Sequence, residues 1–189
     1  MIETIRYAEY EWFLWLNSFH SPFWDTIMFW VTYRFTWIPL YIYIIYFLYK
    51  NINFDFVRSI LFVLISVGLA DRITSGFMKP YFQRLRPCHD PLIQKIVHVV
   101  GNCGGQYGFV SSHASNCFAL VAALFILFKT FKIETKWILF LSAWAIIVSY
   151  SRIYVGVHYP TDILVGGFIG FLIPFAVYPL ITLFKTKIQ

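Results

Sequence analysis

The chain is 189 residues long, 59% hydrophobic and 22% aromatic, with only 13% charged residues and a formal net charge of +6. That balance excludes an ordinary soluble domain. Several apolar runs of about 20 residues, each able to cross a hydrocarbon core of roughly 30 Å, predict an integral membrane protein folded as an all-α helical bundle. Helix flanks and an anion site account for the positive charge, which leaves nucleic-acid binding without support.

In chain order, residues 1–22 carry Ile5, Ala8, Trp12, Trp15 and Phe19 at helical spacing, with Glu3, Arg6, Glu9 and Glu11 at the other positions. This predicts an amphipathic helix lying in the membrane interface, as an anchor or as a guide for lipid toward the site. A basic leader and a small-residue cleavage pattern are both missing, so the segment does not read as a cleavable signal peptide. About five transmembrane helices follow, at Phe23–Tyr49, Asp55–Met78, Ser111–Phe131, Lys136–Val155 and Thr161–Phe184. Five spans place the two termini on opposite sides. Arg34 and the aromatic run from Trp37 to Tyr49 turn the upper part of the first span toward other helices or an interface. Lys50–Phe54 and Thr130–Thr135 are short connections, whereas Lys79–Val110 is long and polar, the mark of a functional loop. The continuously apolar segments lack the alternation of a membrane β-barrel. No internal repeat or soluble second domain is visible, so residues 1–189 read as a single membrane-embedded domain with 79–110 as its active-site loop.

The alternation of spans brings Lys79–Val110 and Val155–Pro160 to the same face of the membrane. Lys79 and Arg86 come from the first of these, Ser111 and His113 from the start of the third span, and Arg152, His158 and Asp162 from the second. Three cations, two histidines, a helix N-terminus and one carboxylate make a site for a dianion. With a helix running from Thr161, Asp162 turns back toward His158 and accepts its Nδ1–H, which leaves Nε2 free as a nucleophile. Arg152 supplies the planar fork that suits phosphate oxygens. Taken singly, each residue has a plainer reading: cations near span ends snorkel, and a lone membrane histidine satisfies a neighbouring carbonyl. Their joint spacing is what points to chemistry.

Lys79-x6-Arg86-Pro87, Ser111-Ser112-His113 and Ser151-Arg152-x5-His158-x3-Asp162, in that order, resemble the three-part signature of the type 2 phosphatidic acid phosphatases. That family includes bacterial lipid phosphate phosphatases, glucose-6-phosphatase and the vanadium haloperoxidases. The resemblance implies that His158 attacks phosphorus and forms a phosphohistidine, with Asp162 fixing its tautomer. It implies that His113 protonates the leaving oxygen and then activates water. Lys79, Arg86 and Arg152 would hold the equatorial oxygens, with Ser111 and Ser112 adding donors at the helix start. No metal or other cofactor is implied, since fixed cations perform the electrostatic role. The chain departs from the usual Pro-Ser-Gly-His at Val110 and Ser112; Ser112 keeps a backbone N–H for phosphate, while its side chain narrows the approach.

Among the remaining polar residues, Asp71 and Arg72 read as a pair within the bundle, and His20 as an interfacial residue. Tyr150, Tyr154 and Tyr159 read as an aromatic belt. Cys88 and Cys103 share the long loop and either form a disulfide on an oxidising face or, with His89 and His98, hold zinc, although the spacing fits no strong zinc template. Cys117 reads as a small core residue. Lys50, Arg58, Lys129, Lys132, Lys136, Lys185 and Lys187 fall on the face opposite the site, which the positive-inside rule assigns to the cytoplasm. The site then faces the periplasm or cell exterior from a bacterial inner membrane. The expected reaction is hydrolysis of a phosphate or diphosphate headgroup on a membrane lipid. Undecaprenyl diphosphate comes first, lipid A phosphate second, then phosphatidylglycerol phosphate or phosphatidic acid. From other classes, a vanadate-dependent haloperoxidase and a lipid transporter are the alternatives; the family's haloperoxidases are soluble, and a transporter would show paired repeats or broken helices.

Overall fold

The computed structural model describes residues 2–52 and 55–183. Asn53, Phe54, Phe184, Lys185 and Lys187 lie outside the described residues, as do the side chains of Glu3 and Ile5. The fold is all-helical: α1 (Ile2–Asn17), α2 (Pro22–Thr32), α3 (Ile38–Asn51), α4 (Phe56–Asp71), α5 (Lys79–Phe82), α6 (Ser112–Thr130), α7 (Lys136–Tyr154) and α8 (Pro160–Leu183). Among the described residues, α6, α7 and α8 are each long and apolar enough to cross a membrane, and α2 with α3 makes a fourth candidate if the bent pair is one span.

Two of the expected spans differ in form. The segment Phe23–Tyr49 is not one helix: Tyr33 is extended, with φ −78° and ψ 117°, and the chain bends by 66° there. Arg34–Trp37 then form a 3₁₀ turn that leads into α3, and the indole of Trp37 donates back to Val31 O at 2.8 Å. The span expected to stop at Met78 continues instead. Residues Arg72–Met78 wind as π-helix and pass without a break into α5. Thr74 lies inside this stretch and donates from Oγ1 to Ala70 O at 2.7 Å, an extra demand on a helical carbonyl of the kind that loosens the regular ladder.

At the centre stands α6, whose alanines at 114, 119, 122 and 123 are fully buried. It packs closely on α8 because α8 has glycine at the contact. A Cβ on Gly170 would lie 2.0 Å from Ser115 O, and one on Gly166 would lie 2.5 Å from Ser111 O. Small residues are what let two membrane helices approach by their backbones. That approach sets the start of α6, with His113, against the start of α8, with Asp162.

Across this end of the bundle lies α1. Its Trp12 and Trp15, and Phe19 just beyond its end, are exposed, as the amphipathic pattern requires of a lipid-facing stripe. The other side is not a solvated face, however: Tyr10, Phe13 and Asn17 are buried against the long loop and the α7–α8 turn. Asn17 donates from Nδ2 to His98 O, Ile153 O and Tyr154 O and accepts at Oδ1 from His98 N, tying three segments together. The tyrosines near the third motif also belong here rather than to a belt. Tyr154 and Tyr159 are each only 1% exposed; Tyr154 donates to Asp25 at 2.7 Å and Tyr159 to Asp90 at 2.9 Å.

Candidate active site

The long loop is folded back on itself. Gln83, at φ 48°, ends α5, and the returning segment pairs through Arg86 N to Gln106 O at 3.1 Å and Gly108 N to Arg84 O at 2.8 Å. Cys88 and Cys103 are joined as a disulfide, with their Cα atoms 6.2 Å apart. His89 stands beside them, but two bridged sulfurs are not thiolate ligands, and His98 lies elsewhere with Nε2 2.9 Å from Asp25. The zinc alternative therefore lacks its ligands. This fold-back aims Arg86, which donates from Nε to Tyr107 O at 3.2 Å and from Nη1 to Cys103 O at 2.8 Å. Gly108 permits the crossing, since a Cβ there would meet Arg86 Cγ at 3.1 Å and Asp162 Oδ2 at 3.2 Å.

Asp90, farther along the loop, accepts from Tyr10 and Tyr159 and pairs with Arg6 at 3.5 Å. Burial alone would raise its carboxyl. Hydrogen bonds from Tyr10, the Leu92 N–H and Tyr159, with Arg6 nearby, hold it below the ordinary value of 3.8.

The third motif brings its own residues together. His158 Nδ1 lies 3.2 Å from Asp162 Oδ2, and the same oxygen accepts from Tyr159 N at 3.0 Å. The other oxygen of Asp162 accepts from Arg84 Nη1 at 3.0 Å. His158 is 1% exposed and Asp162 is fully buried, so neither ring nor carboxylate has freedom to turn. Arg84 is held in turn by Glu9 of α1, which also receives the hydroxyl of Thr161. Its guanidinium lies 4.2 Å from the ring centre of Tyr159. Sequence reasoning passed over Arg84 and Glu9, although a cation two residues before Arg86 was in plain view.

Lys79, Arg86, Arg152, Ser112, His113 and His158 meet around one cavity of about 330 Å³. Arg152 is braced by Thr32 of α2, and its Nε is buried without a partner among the described residues. Ser111 is not on the cavity wall, in contrast to the phosphate contact expected of it. Its hydroxyl caps α6 by accepting from Ala114 N, and its N–H donates to Asp162 O at 3.0 Å. Ser112, where the resembling family has glycine, lies 2.6 Å from the hydroxyl of Ser75 and so ties α6 to the π segment. Arg34, Asp71 and Asn116 also line the cavity. Asp71 accepts from Asn116 at 3.0 Å and, among the described residues, makes no ion pair with Arg72, in contrast to the expected pairing.

Below the cavity an apolar groove of about 390 Å³ runs between α3 and α4 past Ile45, Leu48, Val63 and Leu64. Tyr41, Asn116, Cys117 and Trp144 line both spaces.

An all-helical membrane-embedded hydrolase of lipid phosphates is the class of protein that this arrangement and its relatives define. Residues 56–185 match the family model of the PAP2 superfamily, and the chain belongs to that family. It is 35% identical over 174 residues to the lipid A 4'-phosphatase of Bacteroides thetaiotaomicron, covering 90% of this chain and 75% of that one. It is 36% identical over 180 residues to the lipid A 4'-phosphatase of Porphyromonas gingivalis, covering 94% and 74%. The crystal structure of a transmembrane PAP2 type phosphatidylglycerolphosphate phosphatase from Bacillus subtilis superposes with a TM-score of 0.70 at 22% identity, over 98% of this chain and 88% of that one. The last likeness is one of fold.

Proposed function

We propose that the protein is a metal-independent phosphatase of a phosphorylated glycolipid, acting through a phosphohistidine on His158 at the outer face of a bacterial inner membrane. The observation that carries this reading is the placement of His158, held through Nδ1 by Asp162 while its ring lines the cationic cavity. An ionised carboxylate only accepts, so Nδ1 carries the proton and Nε2 keeps its lone pair. Nε2 attacks phosphorus in line as the P–O bond to the lipid breaks, and His113 gives the departing oxygen its proton. Lys79, Arg86 and Arg152 stabilise the charge on the equatorial oxygens. Water, deprotonated by His113, then attacks the phosphohistidine, the N–P bond breaks back onto Nε2, and inorganic phosphate departs.

A lipid substrate is supported by the apolar groove that continues from the cavity, which suits acyl chains. Two relatives at 35% and 36% identity bear the name lipid A 4'-phosphatase. That supports a phosphorylated glycolipid ahead of undecaprenyl diphosphate, the first choice on sequence alone. The outward orientation rests on Lys50, Arg58, Lys129, Lys132 and Lys136, which lie at or next to the helix ends away from the site. The test is phosphate release in detergent from diphosphoryl lipid A, undecaprenyl diphosphate, phosphatidylglycerol phosphate and phosphatidic acid, with EDTA in excess. Release from lipid A at the highest kcat/KM, undiminished by EDTA, is expected. A requirement for divalent metal, or a preference for undecaprenyl diphosphate, would overturn the reading.

A further inference from the structure

The cavity holds a carboxylate that phosphate binding does not need. Arg34, Lys79, Arg86 and Arg152 suit a dianion, yet Asp71 lines the same space. Its two hydrogen-bond partners, the Asn116 amide at 3.0 Å and the Ser75 hydroxyl at 3.5 Å, both meet Oδ1. Oδ2 has no donor among the described residues. Because a carboxylate only accepts, the nitrogen of the Asn116 amide must face Asp71, and its carbonyl oxygen is left buried without a partner among the described residues. An acceptor-only group beside a phosphate site repels the dianion unless donors stand between them.

Position along the helices says where those donors would be. Asp71 comes about two helical turns before Lys79 on the run from α4 to α5, and Asn116 about one turn after His113 on α6. Both therefore lie on the side of the cavity away from the loop, and Asn116 also lines the apolar groove. The order from the loop inward is cations, then an acceptor wall, then apolar surface. A lipid laid along it has its phosphate first, a donor-bearing group second and acyl chains third.

We propose that Asp71, steadied by Asn116, forms a subsite for the hydroxyl or amide N–H groups of a sugar ring between phosphate and acyl chains. It selects a glycosyl phosphate lipid over a glycerol or prenyl phosphate. This rests on the hydrolase reading above and names the group that the reading leaves open. Phosphatidic acid and prenyl phosphates have no donor at that place, so for them the Asp71 carboxylate only repels.

The test compares kcat/KM on diphosphoryl lipid A and on dioleoyl phosphatidic acid for the wild type, Asp71→Ala, Asp71→Asn and Asn116→Ala. For Asp71→Ala the loss on lipid A should exceed that on phosphatidic acid by about tenfold or more, the worth of one hydrogen bond to a charged group. Asp71→Asn still offers a carbonyl acceptor and should recover part of the difference, and Asn116→Ala should follow Asp71→Ala more weakly. Equal losses on both lipids, with Asn no better than Ala, would mean that Asp71 acts through the charge of Lys79, and would overturn the subsite. A wild type that prefers phosphatidic acid would overturn it too. Release of phosphate from neither lipid would be a failure of the hydrolase reading. Binding of the same two lipids to His158→Ala protein, with and without Asp71→Ala, would then decide the subsite by the same ratio.

Discussion

At the end of the cavity formed by the start of α8 and the turn joining α7 to α8, the polar groups are held by other groups of the protein, whereas the side between α4 and the Asn116 turn of α6 leaves acceptors open. His158 is tied to Asp162, and Asp162 to Arg84, Tyr159 N and, through its carbonyl, Ser111 N. Arg152, near the end of α7, differs: its Nε has no partner among the described residues, and its proposed ligand is phosphate. On the side between α4 and α6, one oxygen each of Asp71 and Asn116 goes without a donor among the described residues. The first wall suits chemistry, where donors and nucleophile must stand ready before charge develops. The second suits recognition, where the substrate completes what the protein leaves unpaired.

The comparison breaks first at its strongest point. His158→Ala should lower kcat by about a thousandfold or more, the scale on which a lost nucleophile acts, while thermal unfolding in detergent shifts by only a few degrees. Residual activity within tenfold of wild type would remove the preorganised wall. Arg84→Ala sharpens the same wall from behind. Arg84 touches Asp162 and not the cavity, so kcat should fall about ten- to a hundredfold with KM little changed, as for loss of a charged hydrogen bond. Arg84→Lys should recover part of it, and a rise in KM alone would place Arg84 on the substrate.

A smaller effect is expected from the loop. Replacing Cys88 and Cys103 by serine frees a 15-residue segment, whose closure is worth roughly 3 kcal/mol in the chain-entropy estimate. The Cys103 carbonyl that holds Arg86 is then less fixed, so KM for lipid phosphate should rise severalfold while kcat falls less. Steady-state kinetics of the double variant, beside the thiol count of oxidised wild type, would check it. The smallest effect concerns α1. Because the Asp90 carboxyl is held below 3.8 in the folded protein, its bonds to Tyr10, Tyr159 and Arg6 contribute fully above that pH and are lost only below it. Hydrogen exchange in α1 should thus stay slow down to about pH 4, and loosening already near pH 6 would contradict the anchoring.

The bundle was legible in the sequence because membrane helices announce themselves by length and apolarity, and α6, α7 and α8 begin and end within a few residues of their expected spans. The break at Tyr33 was not, because no proline or glycine stands at the bend itself; Pro39 marks only the start of α3, and the indole of Trp37 donates back across the bend to Val31 O. Among the site residues, Lys79, Arg86, Ser112, His113, Arg152 and His158 could be gathered on one cavity from motif order and span alternation alone. Ser111 could not be told from its neighbour, since only the approach of α8 decides which serine turns inward to Asp162. The supports came from outside the motifs. Glu9 and Asn17 lie in a segment that reads as a membrane anchor and Asp25 in one that reads as a span, and their partners Arg84, His98 and Tyr154 are 75, 81 and 129 residues away. Periodicity carries no information about contacts at such separations.

The central claim is that His158 becomes phosphorylated. It is tested most directly with His113→Ala protein, in which the second step lacks its base, mixed with an activated aryl phosphate that needs no proton to leave. Quenching in alkali and mapping by mass spectrometry should find one phosphoryl group on the peptide bearing His158, stable in alkali, labile in acid and absent from His158→Ala protein. Aryl phosphate turnover that continues with His158 unmodified at every time point, or label on another residue, would contradict the account.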